Sequence, residues 1–305
     1  QMRNLKRALS LALAAIMLVG MMVVSASAAS YNNLTDKDEI VNKDAVSMLV
    51  SLGIIEGKPD GSYGPTENVD RAQMAKMLSV IMNKGVDNSA LYQSVNSGLV
   101  DVNTNWAKGH INYCYTTGII AGRGNGKFDP SATVTALEAA KMLLVAVGYD
   151  PAIEGFEGAD WAINVSVRAD EQGIFEGFTK DLSAPLNRDD AALLIYNALD
   201  VEMIQSYTTN NYPIAYSDHR TILADKYGVI KVQGVVVANE WASLASDDGD
   251  AALKEGKTTI YNGEGIFSTT GNTTVSKEDA SLKTQTFNVS TPVDMLGKTD
   301  RKSVV

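Results

Sequence analysis

Sulfur and imidazole are scarce in this chain of 305 residues, which has one cysteine, Cys114, and two histidines, His110 and His219. A single thiol excludes an internal disulfide framework and every metal site built from several cysteines. Charged residues make up only 20% of the chain against 45% hydrophobic. That balance is too polar for a multi-span membrane protein and too apolar for a disordered chain. Cations are in deficit, with 26 Lys and Arg against 36 Asp and Glu, which argues against general nucleic-acid binding. Also missing are a metalloprotease helix, a Walker loop, a nucleophile elbow and a dinucleotide fingerprint. The length fits about two domains.

Acids are absent from the first thirty positions, where Arg3, Lys6 and Arg7 precede an apolar run from Ala8 to Val24 and then Ala26-Ser27-Ala28. A basic head, a short apolar body and an A-x-A pattern predict a secretory signal peptide over 1–29. Ser10 and Gly20 interrupt the run, which sits at the short edge of a spanning helix. The mature chain is therefore expected to be exported, with no stable membrane span. Cleavage removes three cations, leaving 23 against 36 acids and a net charge of -13.

What the chain does have is a repeat. Gly-Ile-hydrophobic-x-Gly occurs at Gly53–Gly57, Gly118–Gly122 and Gly173–Gly177. A proline follows the first glycine by 12 positions in every copy (Pro65, Pro130, Pro185), and a tryptophan precedes it by 12 in two, Trp106 and Trp161, with Val41 in the first copy. Each unit reads as helix, loop, helix. The first helix starts near the tryptophan, capped by Asn105 or Asp160, and closes at the first glycine in a left-handed conformation. Turn chemistry follows at Pro59-Asp60-Gly61 and Gly124-Asn125-Gly126. The second helix opens with capping-box patterns at Asp70-Arg71-Ala72-Gln73 and Thr135-Ala136-Leu137-Glu138, and with Asn187-Arg188-Asp189-Asp190 in copy three. Apolar residues then recur at helical spacing, as in Met74, Met77, Leu78 and Ile81. One unit of about fifty residues buries too little surface alone, so the three are expected to share a core.

These motifs resemble three tandem S-layer homology modules. Copy two carries Leu99-Val100-Asp101, Trp106-Ala107, the glycine turn, Gly126-Lys127-Phe128-Asp129-Pro130 and Thr135-Ala136-Leu137-Glu138. Copy one carries Leu34-Thr35-Asp36, Asp60-Gly61-Ser62-Tyr63-Gly64-Pro65 and Asp70-Arg71-Ala72-Gln73, while copy three keeps Trp161-Ala162, the turn, Pro185 and Asn187-Arg188. The resemblance implies a pseudo-three-fold helical domain that binds secondary cell-wall polysaccharide, commonly pyruvate-bearing, in grooves between modules. Carried over from the family, the candidate contacts are Arg71, Arg188, Asp36, Asp101, Trp106 and Trp161, with Gly57, Gly122 and Gly177 as backbone contributors. Ala136 stands in place of the arginine in copy two, Val41 in place of the tryptophan in copy one, and copy three lacks the leading aspartate, so no module has a complete set.

Independently of the family, Arg71 and Arg188 fall in the first turn of a helix, where the dipole disfavours a cation by roughly 0.3–1 kcal/mol. Free N–H groups beside a guanidinium suit a carboxylate. The plainer readings are that the arginines bridge acids on neighbouring modules, the tryptophans wedge helix starts, and the aspartates cap first helices. Cys114 aligns with Leu49 and Ala169, and His110 with Ala45 and Val165, positions that read as core. Neither shows the neighbouring base or orienting group that nucleophilic catalysis needs.

The expected organisation is a multidomain α+β chain: modules at 33–86, 97–150 and 155–203, a linker at 204–220, and a small β-rich region at 221–305. Val229–Val237, Thr258–Tyr261 and Thr286–Val289 favour strands. The polar Asp300-Arg301-Lys302-Ser303 reads as a truncated or altered end, and Asp247–Asp250 as a solvated turn without the spaced ligands of a calcium loop. The functional expectation is a non-enzymatic, exported cell-surface protein, anchored non-covalently to wall polysaccharide, without a cofactor and with other S-layer subunits as further partners. The alternatives are the attachment domain of a wall-active enzyme such as a glycoside hydrolase, and a scaffold that has lost glycan binding.

Overall fold

The computed structural model describes residues 31–244, 252–261, 269–270, 273–274, 284–287 and 290–304, and over these the chain is mixed α+β. The expected signal peptide and the turn at Asp247–Asp250 lie outside the described residues. No described helix is long and apolar enough to cross a membrane.

Each repeat supplies two helices: α1 (Lys43–Ser51) and α2 (Arg71–Met82), then α3 (Lys108–Thr116) and α4 (Ala136–Val147), then α5 (Trp161–Glu171) and α6 (Arg188–Ala198). The second helices start where their capping chemistry places them. The Asp70 carboxylate accepts from Gln73 N–H at 2.7 Å while Gln73 Oε1 accepts from Asp70 N–H at 3.0 Å, and Thr135 and Glu138 repeat the exchange. Asn187 accepts from Asp190 N–H at 2.8 Å. Each such cap stabilises its helix by about 0.5–2 kcal/mol. Just past the first helices, Gly53, Gly118 and Gly173 take φ of +69°, +79° and +71°, the left-handed geometry expected there. The first-helix starts differ from expectation. Asn105 closes a local turn onto Ala107 N–H, so α3 begins two residues beyond Trp106; Asp160 precedes α5 without a side-chain cap bond.

The main helix contacts cross repeat boundaries. α2 packs on α3, α4 on α5, and α6 returns to α1, so the three units form a closed ring. At its centre the residues leading into the second helices bond in a cycle: Val69 N–H donates to Leu186 O (2.8 Å), Leu186 N–H to Val134 O (2.7 Å), and Val134 N–H to Val69 O (2.9 Å). These pairings satisfy buried backbone groups that no helix could. One core runs through all three units, with Leu49, Leu78, Ile111, Leu144, Val165 and Ile195 each almost wholly buried.

The stretch expected as a linker is structured. Residues 204–215 form an antiparallel hairpin of β1 (Ile204–Tyr207) and β2 (Pro213–Ala215), and Tyr207 Oη fixes it by accepting from Asp150 N–H and donating to Glu154. The short helix α7 (Ile222–Tyr227) then joins the helical core, burying Ile222 and Leu223 and placing Tyr227 Oη on Ile81 O. The helical body thus reaches Val229, eight residues beyond the expected start of the β region.

After it come β3 (Ile230–Asn239), β4 (Thr258–Tyr261), the short pair β5 (Thr269–Thr270) and β6 (Thr273–Thr274), β7 (Thr284–Phe287) and β8 (Thr299–Val304). Four of them build an antiparallel sheet in the order β7-β4-β3-β8 around Val236, Ile260 and Phe287. The polar run Asp300–Ser303, read from sequence as an altered end, is the middle of β8, an edge strand paired residue for residue with β3. Edge strands tolerate such charge because one side of the ladder faces solvent.

Candidate functional site: a groove shared by three repeats

A cleft of about 340 Å³ opens between α4 and α5, lined by Arg71, Gly122, Glu138, Lys141, Phe156 and Trp161 among others. Its parts come from all three units. Arg71 opens α2 in the first, the turn at Gly118–Gly122 and α4 belong to the second, and Trp161 opens α5 in the third.

Arg71 is 4% exposed and reaches forward into the second unit. Its Nε–H donates to Phe128 O and its Nη2–H to Ala121 O, both at 2.8 Å, and the guanidinium lies 4.3 Å from the Phe128 ring centroid. Nη1 has no protein acceptor among the described residues. Burial, with the nearby Arg123 cation adding to it, pulls the guanidinium down to about 10, which leaves it charged at neutral pH. Lys141 Nζ sits 5.7 Å from the Trp161 ring centroid, and burial lowers its pKa as well. Arg123 is paired to Glu138 at 2.7 Å. The cleft therefore offers two partly desolvated cations beside the face of an indole, an arrangement able to hold a carboxylate attached to an apolar or sugar body.

Arg188 repeats the geometry of Arg71 on the first unit. Its Nε–H donates to Tyr63 O at 2.8 Å and its Nη2–H to Glu56 O at 3.3 Å, with the guanidinium 4.7 Å from the Tyr63 ring. Glu56 pairs with Lys76, the counterpart of Lys141, at 3.4 Å. Trp106, 57% exposed, packs edge-on against His110, which the Lys76 charge also reaches.

The two leading aspartates hold loops. Asp36 accepts from the N–H groups of Tyr63 and Gly64, both at 2.7 Å, and Asp101 from those of Phe128 and Asp129 at 2.8–3.1 Å. Some burial raises both carboxyls, but the backbone bonds outweigh it and leave their pKa values below the ordinary 3.8. Asp36 and Asp101 thus fix the loops whose carbonyls receive Arg188 and Arg71. They are not first-helix caps.

Of the nine residues suggested by sequence, Arg71, Gly122 and Trp161 meet in the cleft. Arg188 lies on the first unit against Tyr63 and Glu56, Trp106 packs on His110, and Gly177 lines a separate cleft with Val41 and Leu193. Gly57 packs under Leu34, where a Cβ would come within 3.0 Å of its side chain. Lys141 and Lys76 were missed, although they occupy the same repeat position, five residues after the Arg71 site. His110 does have partners: its Nδ1 lies 2.6 Å from Ser79 Oγ and its Nε2 3.6 Å from Asp87. Ser79 is buried and donates to Lys76 O at 2.9 Å, so this trio lacks the exposed, base-directed hydroxyl of a nucleophile. Cys114 is buried with its thiol pushed up by desolvation. Among the described residues no cluster of three or more His, Cys, Asp or Glu is placed to hold a metal ion.

Residues 33–75 and 100–140 match the family model of the S-layer homology domain. Over these two stretches the chain carries S-layer homology modules, in keeping with relatives named as cell surface and S-layer proteins. It is 28% identical over 270 residues to a cell surface protein of Thermoanaerobacter kivui, covering 88% of this chain and 32% of that protein. It is 33% identical to an S-layer protein of Bacillus licheniformis over 37% of this chain and 12% of the relative. It is 31% identical to an amylopullulanase of Thermoanaerobacterium thermosulfurigenes over 52% of this chain and 9% of the enzyme. The chain thus spans a third or less of each relative's length.

Proposed function

We propose that the helical ring, a pseudo-three-fold arrangement of three modules, anchors an exported surface protein non-covalently to secondary cell-wall polysaccharide. The ligand read from the site is an anionic glycan, with a pyruvyl carboxylate as the group received. The observation that carries this reading is the cleft in which Arg71 and Lys141 stand beside the face of Trp161. An acetal-linked carboxylate there meets the third corner of the guanidinium, while the sugar ring lies against the indole. The chain's negative net charge provides no general attraction to an anionic wall, so binding of this kind depends on local cations rather than the overall field.

We read the chain itself as a binding unit and not a catalyst, with other surface-layer subunits as further partners. A second reading is that the ring attaches a wall-active enzyme whose catalytic domain lies elsewhere; the similarity to an amylopullulanase favours it. Both share the anchoring step. Co-sedimentation of the 29–305 chain with purified cell walls, before and after chemical removal of their secondary polysaccharide, tests that step. Pelleting only on walls that retain the polysaccharide is expected. Equal pelleting on stripped walls, or none on intact ones, overturns the anchoring reading.

A further inference from the structure

The ring changes which residues belong together. Each second-helix arginine position reaches forward into the next unit, as Arg71 does to Ala121 and Phe128 and Arg188 to Glu56 and Tyr63. The lysine position lies on the second helix of that next unit, and the tryptophan comes from the unit after it, as the Lys141–Trp161 pair shows. A groove therefore takes its arginine from one unit, its glycine turn and lysine from the following one, and its tryptophan from the third.

One groove holds Arg71, Lys141 and Trp161; by repeat position Arg188, Lys76 and Trp106 form its counterpart, linked through Glu56, which receives both Arg188 and Lys76, and through His110, which the Lys76 charge reaches and against which Trp106 packs. The remaining groove has Ala136 for the arginine, Leu193 for the lysine and Val41 for the tryptophan. Backbone contacts place Ala136 there: Leu137 N–H donates to Leu182 O at 3.1 Å, and Thr135 bridges Pro185. Leu193 and Val41 line its cleft of about 460 Å³ together with Gly177. All three departures from the repeat thus fall at one seam, between the third unit and the first.

That seam has its own chemistry. Asp189 accepts from Val41 N–H at 3.3 Å, from Asn42 N–H at 3.2 Å and from Asn42 Nδ2–H at 3.1 Å, so a carboxylate of the chain already occupies the start of α1. The corresponding position is Ala72 in the first unit and Leu137 in the second. Lys43 lines the cleft, but Asp44 and Glu176 line it too. A second carboxylate entering here meets an internal one instead of a guanidinium, and like charges at short range repel.

We infer that the chain has two carboxylate-binding grooves, one at Arg71, Lys141 and Trp161 and one at Arg188, Lys76 and Trp106, and that its third groove is given over to closing the ring through Asp189. The inference rests on the anchoring reading and adds the number and identity of the sites. Each working groove is specified by residues from three different units, so damage to one unit affects both.

Isothermal titration of the 29–305 chain with a pyruvyl-bearing oligosaccharide released from the cell wall tests it. Two sites are expected. Lys141→Met and Lys76→Met are chosen because each lysine makes a single bond, Lys141 to Phe156 O and Lys76 to the Glu56 carboxylate, where each arginine makes two to carbonyls of the next unit. Each is expected to remove one site or weaken it at least tenfold while leaving the other, and the double variant to leave neither. Val41→Glu, which adds a charge to the vacated groove at an exposed position, is expected to leave both sites unchanged. A stoichiometry of one or three, or loss of a site in Val41→Glu, overturns the inference while the anchoring reading stands. No heat of binding from a chain that also fails to pellet on intact walls overturns both.

Discussion

Arg188 and Tyr63 clamp each other across 125 residues of chain: the guanidinium donates to Tyr63 O at 2.8 Å, and the phenol donates back to Arg188 O at 2.7 Å. The ring beneath the guanidinium is almost completely buried. The pair joins the third unit to the first, so it contributes to holding the ring together as well as to the groove above it.

Tyr63→Phe keeps the stacked ring and removes one hydrogen bond. Arg188→Ala removes two charge-assisted bonds and leaves carbonyls without their donors. Urea unfolding is expected to give a loss of about 1 kcal/mol for the first and about 2–3 kcal/mol for the second. Equal losses for the two variants would contradict the clamp.

The leading aspartates give stability a pH dependence of defined sign. Because the folded pKa of Asp101 lies below the ordinary 3.8, its contribution is complete above that value and is lost as pH falls through the lower folded one. Asp101→Asn, which no longer titrates, is expected to destabilise the ring at pH 7 and to flatten the decline of the urea midpoint below pH 4. An unchanged slope would show that the carboxylate is not held by the loop.

His110 titrates in a higher window. Burial depresses its pKa below 6.5, against the opposing pull of Asp87 and with Lys76 adding to the depression. The unfolded chain therefore takes up this proton first, and stability declines as pH falls below 6.5 toward the folded value. His110→Val, which installs the residue found at the matching place in copy three, is expected to remove that decline. Thermal unfolding of both proteins between pH 5 and 7.5 measures it.

Two glycines with similar backbone demands are expected to respond differently to alanine. Gly118 has φ of +79° and open space around a new Cβ, so the cost is that of a left-handed alanine, about 1–2 kcal/mol. Gly148 has φ of +114°, and a Cβ there would come within 2.5 Å of Ile204 O in β1. Gly148→Ala must also push the hairpin away, and a larger drop in melting temperature than for Gly118→Ala is expected.

Local features were legible because local chemistry determines them. The capping boxes at Asp70 and Thr135, the asparagine cap at Asn187 and the left-handed glycines at 53, 118 and 173 are each fixed within a few residues. The sites were only half legible. Grouping Arg71 with its own unit, and likewise Trp161, hid the fact that they share one cleft, because the pairing of each second helix with the next unit is a property of the packed ring. The hairpin at 204–215 was read as a linker for a related reason: its sequence is polar, and it is attached through contacts distant in sequence, Tyr207 meeting Asp150 and Glu154 and Ile204 packing on the helical core. In β8 the charged residues Asp300 and Arg301 concealed a strand that pairs through its backbone.

The seating of α1 on α6 sets an order of events for an exported chain. The contact from Asn42 to Asp189 spans 147 residues, so the start of α1 lacks its partner until α6 of the third unit has been made and translocated. Contacts of such long range are slow to form, and until then the apolar faces of the intermediate helices stay exposed. The vulnerable interval in the life of this protein is thus the passage between emergence of the first unit and arrival of the third, and substitutions at Asp189 should reduce secreted yield more than they reduce the stability of molecules that have already matured.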